Sequence, residues 1–551
     1  MQTTAVKIGG ICGLSGLLAC LLGIVESFNR KFIIHEIVTM GQGLLLVIVF
    51  FFGYLAAKSA KDSRRIALCL NGVRCGAVYG AVLGTLVLTG QHINLRCVLI
   101  NASPNLYDIL LFSLEPYTGL TVLILACVVA GLVPGIILTL GVGWQRIIVR
   151  GFFGVMLAGV LQDLLRPMLL NGHLVILTQF SEILFPANNG LSIPAAFFFL
   201  ILISGFQWVF DGPGDRMVRT VHHALAGSSA TVKTVPGIVL ILTLLLLPQF
   251  MNLYMCEVLT TIGLYVILGL GLNIVVGYAG LLDLGYVAFF AIGAYTMAIL
   301  TSPEPGFFHL NFWQAIPFAV FLGITAGILL GIPVLNMQGD YLAIVTLGFG
   351  EILRILFLSD ILKPYLNGAH GIGHIPSPVL GGWVIDEPRD LYYLILAGCL
   401  IAVTITHRLD HSRIARAWKA IREDEEVAQA MGIDIVSAKL QAFAVGAGFS
   451  AFSGAIFAVK IGSVFPVSFT LAVSINIMCL ILVGGIGSMG GVFMGALIMI
   501  GLPEILREFA EFRQFFYGIL LVTIMILKPD GLWPVKSGAG NITRADNRRH
   551  G

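Results

Sequence analysis

Charge is what this sequence has least of. Only 11% of its 551 residues are Asp, Glu, Lys or Arg, against 58% hydrophobic ones, whereas soluble globular domains carry about 25% charged and 45–50% apolar residues. That deficit excludes a cytosolic enzyme and a disordered chain, and the mean hydropathy of +0.95 leaves a polytopic membrane protein. The nine cysteines form no CxxC pair, so neither a disulfide framework nor a zinc site is indicated. There is no G-x-x-x-x-G-K-[ST] phosphate loop and no HExxH, which excludes nucleotide splitting and zinc hydrolysis by those routes. Gly448-Phe449-Ser450 and similar fragments build no nucleophile elbow. A net charge of +3 is too small to argue for nucleic acid or an anionic partner. No catalytic residue, metal or cofactor is expected.

What is abundant is apolar sequence in runs of membrane length. At about 20 residues per span the apolar total sets a ceiling of roughly 16 helices. Runs near 5–25, 35–57, 66–90, 118–142, 151–170 and 194–210 precede a polar stretch at 211–235, which carries Asp-Gly-Pro-Gly, Gly-Ser-Ser and the pair His222 and His223. A second series lies near 236–251, 257–278, 281–300, 313–335, 341–358 and 391–407, and a third near 438–460, 470–486, 489–503 and 512–528. Short pieces such as 489–503 fit half-helices. The expected fold is an all-α, polytopic transmembrane bundle: an amino-terminal membrane extension of about six spans (1–235), a core of about ten spans or half-spans (236–530) and a tail (531–551). Leu17-Leu18-Ala19-Cys20 resembles a lipoprotein box but reads better as part of an uncleaved first helix. Glycine is plentiful, 65 residues, and Gly76/Gly80/Gly84, Gly323/Gly327/Gly331 and Gly487/Gly491/Gly495 each align on one helical face, as close helix packing in lipid requires.

Basic residues orient the spans, because Lys and Arg bias short loops toward the cytoplasm. Taking Lys58, Lys61, Arg64 and Arg65 as inside puts the amino terminus inside. It also puts Arg146/Arg150, Arg216/Arg219/Lys233, the segment 408–437 and the tail (Lys536, Arg544, Arg548, Arg549) inside, while the loops at 91–117 and 171–193 hold one basic residue, Arg96. Parity and charge agree on a multi-pass membrane protein with both termini cytoplasmic.

The most informative polar segment is 408–437. Residues 408–426 carry five basic and five acidic side chains between long apolar spans. Trp418, Ile421 and the Val427/Met431 pair recur at helical spacing, predicting one short amphipathic helix, and Gly432 suits the left-handed residue after its end. On residue physics it docks to a protein or lies on the bilayer.

Glu426 to Gly432 (Glu-Val-Ala-Gln-Ala-Met-Gly) fits the E-x-A-x-x-x-G pattern of the coupling loop in ABC importer permeases. Around it stand GLGLNIVVG (Gly269–Gly277), GLLDLGY (Gly280–Tyr286), AIGAY (Ala291–Tyr295), GDYLAIVTLGFGEI (Gly339–Ile352) and AIRED (Ala420–Asp424). In this order they resemble the LivM-type permease of branched-chain amino-acid ABC importers across roughly 236–530. The resemblance implies a transport subunit without its own ATP hydrolysis. Its implied partners are two ABC ATPase subunits, a second, LivH-type permease and a periplasmic substrate-binding protein, beside membrane lipid. It places Arg416, Trp418, Arg422, Glu423, Asp424, Glu426, Ala428 and Gly432 at the ATPase contact. Two features depart from the family. The external T-G-G-x-x-G-I is replaced by LNGAHGI (Leu366–Ile372), where Asn367, Gly368, His370 and Gly371 become candidate binding-protein contacts, and residues 1–235 are unusually long.

Polar groups inside the membrane are costly, about 2.5–3.5 kcal/mol for a central charge on insertion scales, and so face protein or water. Asn273, Asp283, Thr346 and Glu351 are candidates for the translocation path. The plainer readings make Glu351–Arg354 an i,i+3 ion pair and Asp283 a helix cap. The Gly- and Pro-rich stretch 359–390 either seats a binding protein or is a flexible connector. Urea or short amides stand as alternative substrates. An ion-coupled secondary transporter is a further alternative, although only Asp283 supplies the mid-membrane acid it needs.

Overall fold

The computed structural model describes residues 2–29, 31–34, 38–59, 65–93, 95–97, 99–162, 166, 184–185, 190–209, 241–249, 251–304, 308–334, 337, 339–507 and 512–534. The expected boundary at 211–235, with His222, His223, Arg216, Arg219 and Lys233, lies outside them. So do Lys61, Arg64, most of 171–193, the end of the run at 151–170, the start of that at 236–251, and the tail with Lys536, Arg544, Arg548 and Arg549. The chain folds as two compact units, Met1–Leu246 and Leu247–Gly551.

The first unit runs α1 (Gln2–Leu21), α2 (Ile24–Phe28), β1 (Phe32–Ile34), β2 (Val38–Thr39), α3 (Met40–Lys58), α4 (Arg65–His92), α5 (Pro104–Leu110), α6 (Pro116–Thr139), α7 (Val142–Val160) and α8 (Ile193–Val209). The run predicted from residue 35 begins as a helix only at Met40. Thr39 Oγ1 accepts the Gln42 N–H at 3.2 Å while Gln42 Oε1 accepts the Thr39 N–H at 3.3 Å, a capping box that starts α3 after the short hairpin. The loop expected at 91–117 contains α5, whose Leu106 and Leu110 are buried. The run expected at 151–170 is helical earlier, as α7. Gly76 and Gly80 face α6 so closely that a Cβ at Gly76 would strike the Cys127 carbonyl and one at Gly80 would sit 3.2 Å from Ile124 Cα.

The second unit runs α9 (Leu253–Leu272), prolonged by a π-turn (Asn273–Tyr278), then α10 (Val287–Thr301), α11 (Phe312–Val334), α12 (Asp340–Leu358), α13 (Lys363–Leu366), β3 (Val379–Leu380) and β4 (Trp383–Val384). There follow α14 (Pro388–Asp410), α15 (Arg413–Glu423), α16 (Glu425–Ala430), α17 (Ile435–Ile461), α18 (Leu471–Gly484), α19 (Met489–Ala496), a second π-turn (Leu497–Gly501), α20 (Leu502–Ile505) and α21 (Arg513–Leu527). Among the described residues nine helices are long and apolar enough to cross a membrane. α10 is not one of them. The span expected at 281–300 opens instead with a non-helical stretch at 279–286, and at 1.5 Å per residue its 15 residues reach only about 22 Å of a roughly 30 Å core. The run at 489–503 is likewise interrupted by its π-turn.

α17 is the centre of this unit. Gly293 and Gly454 bring α10 and α17 into backbone contact, since a Cβ at Gly293 would meet the Ala451 backbone and one at Gly454 the Phe290 carbonyl. Gly323, Gly327 and Gly331 seat α11 on Ala451, Ala447 and Leu440 of the same helix. The aligned glycines of α4 and α11 therefore serve packing within the chain, as do Gly491 and Gly495, which meet the Gly484 and Leu480 carbonyls. Gly487 does not share their helical face, because it lies in the turn before α19 at φ +82°. Lys460 and Glu257 form a 2.9 Å ion pair joining α17 to α9, with the lysine almost wholly buried.

Candidate functional site

α14 ends at Asp410, and Ser412 restarts the chain: its Oγ accepts the Ala415 N–H at 3.2 Å and caps α15. Ala415, Trp418 and Ile421, three residues apart, form the buried stripe of this helix. Trp418 is completely enclosed, and its Nε1–H donates to the Ala438 carbonyl at 2.8 Å, in the first turn of α17. At Asp424 the backbone becomes extended (φ −159°). Its carboxylate accepts the Val427 N–H at 3.0 Å and starts α16. Gly432, at φ +85°, turns the chain in the left-handed conformation that favours glycine, and Asp434 caps α17 through the Ser437 N–H at 3.3 Å.

The single amphipathic helix predicted for this segment is thus two helices with a break at Asp424. The break also rotates the register. Ala428 turns inward, whereas Val427 and Met431, expected to continue the Trp418/Ile421 stripe, are 58% and 79% exposed. Arg416, Glu423 and Glu426 are exposed as well.

The inner side of this elbow grips the π-turn at the end of α9. Arg422 Nη1 donates to the Gly277 carbonyl, and Lys419 Nζ lies 5.0 Å from the Tyr278 ring centroid while bonding Asp410. Gly280, at φ +72°, lets the backbone pass Arg422; a Cβ there would sit 3.0 Å from its Cγ. Lys439, 3% exposed, pairs with Glu425 at 2.6 Å. A cleft of about 350 Å³ between elbow and break is lined by Gly280, Leu342, Arg422, Asp424, Glu425 and Lys439.

Of the candidate path residues, the fold brings Asp283 and Thr346 together. Asp283 Oδ1 accepts the Gly285 N–H at 2.9 Å. Thr346 Oγ1 accepts the Leu284 N–H at 3.0 Å and gives its own hydrogen to the Ala343 carbonyl at 3.1 Å. A hydroxyl has one hydrogen to donate, so Asp283 Oδ2 is left buried without a hydrogen-bond partner. Asp283 holds a turn two residues on rather than capping α10, whose N-cap is Tyr286. Asn273 is fully buried; its Oδ1 accepts the Gly487 N–H at 2.8 Å, and its Nδ2 has no acceptor. Glu351 forms the 2.8 Å i,i+3 pair with Arg354, both side chains about a third exposed.

The stretch 359–390 is fastened at several points. Ile372 and Val464 exchange backbone hydrogen bonds at 3.0 and 2.8 Å, and a Cβ on Gly371 would strike the Val464 carbonyl. Glu304 accepts the Gly373 N–H and contacts His374 Nδ1, both at 2.7 Å. The Gly373 amide first, then His374, holds the Glu304 carboxyl below its usual range. Gly368 and Gly371 are buried, whereas Asn367 and His370 are exposed.

Lys439, Lys460 and Tyr278 belong to these networks and were not singled out from the sequence, and Lys419 only as one of the basic residues that place 408–437 inside. Lys439 and Lys460 did carry a signal, as lone basic residues in or beside the apolar run 438–460.

The family described as "Branched-chain amino acid transport system / permease component" matches residues 254–527. The high-affinity branched-chain amino acid transport system permease protein LivM of Salmonella typhimurium is 39% identical over 302 residues, covering 51% of this chain and 70% of that protein. LivM of Escherichia coli K12 is 38% identical over 364 residues, covering 62% and 83%. LivH of the same organism is 24% identical over 196 residues, covering 33% and 62%. No solved structure matches. With its helices, its charged elbow and these relatives, the chain belongs to the LivM family of branched-chain amino acid transport permeases.

Proposed function

We propose that this chain is the transmembrane permease subunit of an ATP-binding-cassette importer and forms the translocation path for branched-chain or similar amino acids. Residues 236–530 act as the permease core, with 408–437 as the coupling loop; 1–235 are an amino-terminal membrane extension and 531–551 a cytoplasmic tail. The chain lies in a bacterial inner membrane with both termini in the cytoplasm. Two ATPase subunits hydrolyse the nucleotide, a LivH-type permease completes the path, and a periplasmic binding protein delivers substrate near Asn367 and His370.

The elbow is the observation that carries this reading. Its outer side offers Arg416, Glu423, Glu426, Val427 and Met431 to a partner, an apolar centre with charges around it, the arrangement common at protein interfaces. Its inner side is tied to α17 by Trp418 and to the π-turn by Arg422 and Lys419. ATPase closure against the outer side therefore displaces α17 and the end of α9 together. The break at 279–286, which carries Asp283, moves with them. Side chains along this route supply polar contacts to a zwitterion, and none performs bond chemistry.

The test is co-purification of the chain with its ATPases. Glu426→Lys reverses an exposed charge at the contact without touching the buried stripe, so ATPase recovery is expected to fall while the permease stays folded. Undiminished recovery overturns the coupling role. Gradient-driven uptake by the purified chain alone overturns the importer reading itself.

A further inference from the structure

Between Ile375 and Ile385 the chain carries no charged residue, although it lies in an otherwise polar connection. There β3 and β4 pair as Val379 with Val384 and Leu380 with Trp383. A two-residue turn joins them, with Gly381 at φ +58° and Gly382 at φ +93°, as a tight hairpin demands. Its base is clasped by Ile385 N–H to the Pro378 carbonyl at 2.8 Å and by Ser377 Oγ–H to Asp386 at 2.9 Å.

Side chains alternate between the two faces of a strand pair, and here all four are apolar and at least half exposed. Among the described residues, both faces are thus at least half open. Soluble hairpins normally keep one polar face, so water is a poor surrounding for this one.

Its attachment sets its depth. Trp313 Nε1–H donates to the Val379 carbonyl at 2.9 Å, and Trp313 stands in the first turn of α11. With 23 residues at 1.5 Å each, α11 is about 34 Å long and just crosses a roughly 30 Å hydrocarbon core. Its first turn therefore sits at one membrane boundary. One side of α11 is seated on α17 through Gly323, Gly327 and Gly331. The opposite side presents Phe318, Phe321, Leu329 and Ile332 outward, each more than half exposed. Tryptophan concentrates at the boundary between headgroups and acyl chains.

We propose that the hairpin Val379–Val384 is an interfacial anchor that beds Leu380 and Trp383 into the lipid at the end of α11, with the Trp313 indole holding it at that depth. The occupant of its exposed surface is the bilayer. The anchor fixes one end of the 359–390 connection while the Glu304 and Val464 contacts fix its middle.

The experiment uses the full chain in phosphatidylcholine vesicles with acyl chains brominated near the headgroup, and reads tryptophan fluorescence. Trp383 is exposed and unpacked, so Trp383→Phe leaves the fold intact, and wild type minus variant isolates its emission. Bromine quenches a ring bedded in lipid, and the Trp383 emission is expected to fall at least about twofold relative to unbrominated vesicles, with little response to aqueous iodide. Strong iodide quenching with no bromine effect would overturn the anchor and place the hairpin in water; iodide protection on adding a soluble binding protein would then identify a protein occupant. No ATPase takes part, so the result is independent of the coupling reading.

Discussion

Trp418 offers the sharpest test of how the elbow is held. The side chain is fully enclosed, and its indole N–H bonds the Ala438 carbonyl. Truncating a buried tryptophan to alanine costs about 3–5 kcal/mol. At about 1.4 kcal/mol per tenfold, this shifts the equilibrium between docked and undocked elbow by roughly two to four orders of magnitude. Trp418→Phe keeps most of the apolar contact and removes one hydrogen bond, worth about 1 kcal/mol or about fivefold. Ala438 lies in the first turn of α17, so its carbonyl retains its helical partner. Hydrogen exchange of the full chain in detergent reads both variants. The amides of Trp418 and Ile421 are expected to exchange far faster in Trp418→Ala and modestly faster in Trp418→Phe, while the middle of α17 stays protected. Unchanged exchange at those amides in Trp418→Ala would refute the claim that this side chain docks the elbow.

Other consequences are as direct. Glu304 is held below its ordinary value of 4.5 by the Gly373 amide and then His374. Because its folded-state value is depressed, the stabilisation it brings is present above the ordinary value and lost as pH falls through the lowered one; protection of the Gly373 amide should show that acid step, and Glu304→Gln should abolish it. Gly293→Ala places a methyl against the Ala451 backbone and should lower thermal stability in detergent, by about 1–3 kcal/mol as overpacking does. Gly348 has open space around it, so Gly348→Ala should be neutral or gain about 0.5–1 kcal/mol from helix propensity. Asp283→Asn keeps the shape of the turn and removes the carboxylate; substrate uptake in vesicles with the ATPases present is expected to fall, and unchanged uptake with unchanged ATP coupling removes Asp283 from the path.

The all-α membrane architecture was determined by the sequence alone. Twenty apolar residues in a row have few other solutions in lipid, because every backbone polar group must bond within its own helix. The elbow at 408–437 was equally legible, since a block of charge between two spans must leave the hydrocarbon. Glycine spacing announced close packing but not its partner, which for Gly293, Gly323 and Gly327 proved to be α17. Tertiary structure decided the rest. Periodicity extended one helix through Asp424, yet that carboxylate caps a second helix and turns Val427 and Met431 outward, because a local side-chain bond outweighs a weak apolar repeat. Hydropathy likewise drew a span at 281–300, although Gly280 and Gly285 beside Asp283 mark a place where a helix can break. What opens the chain at 279–286 is a set of contacts from Thr346, Ser450 and Ser474, 62 to 187 residues away in sequence. No local pattern encodes such distances; they exist only once the helices have packed.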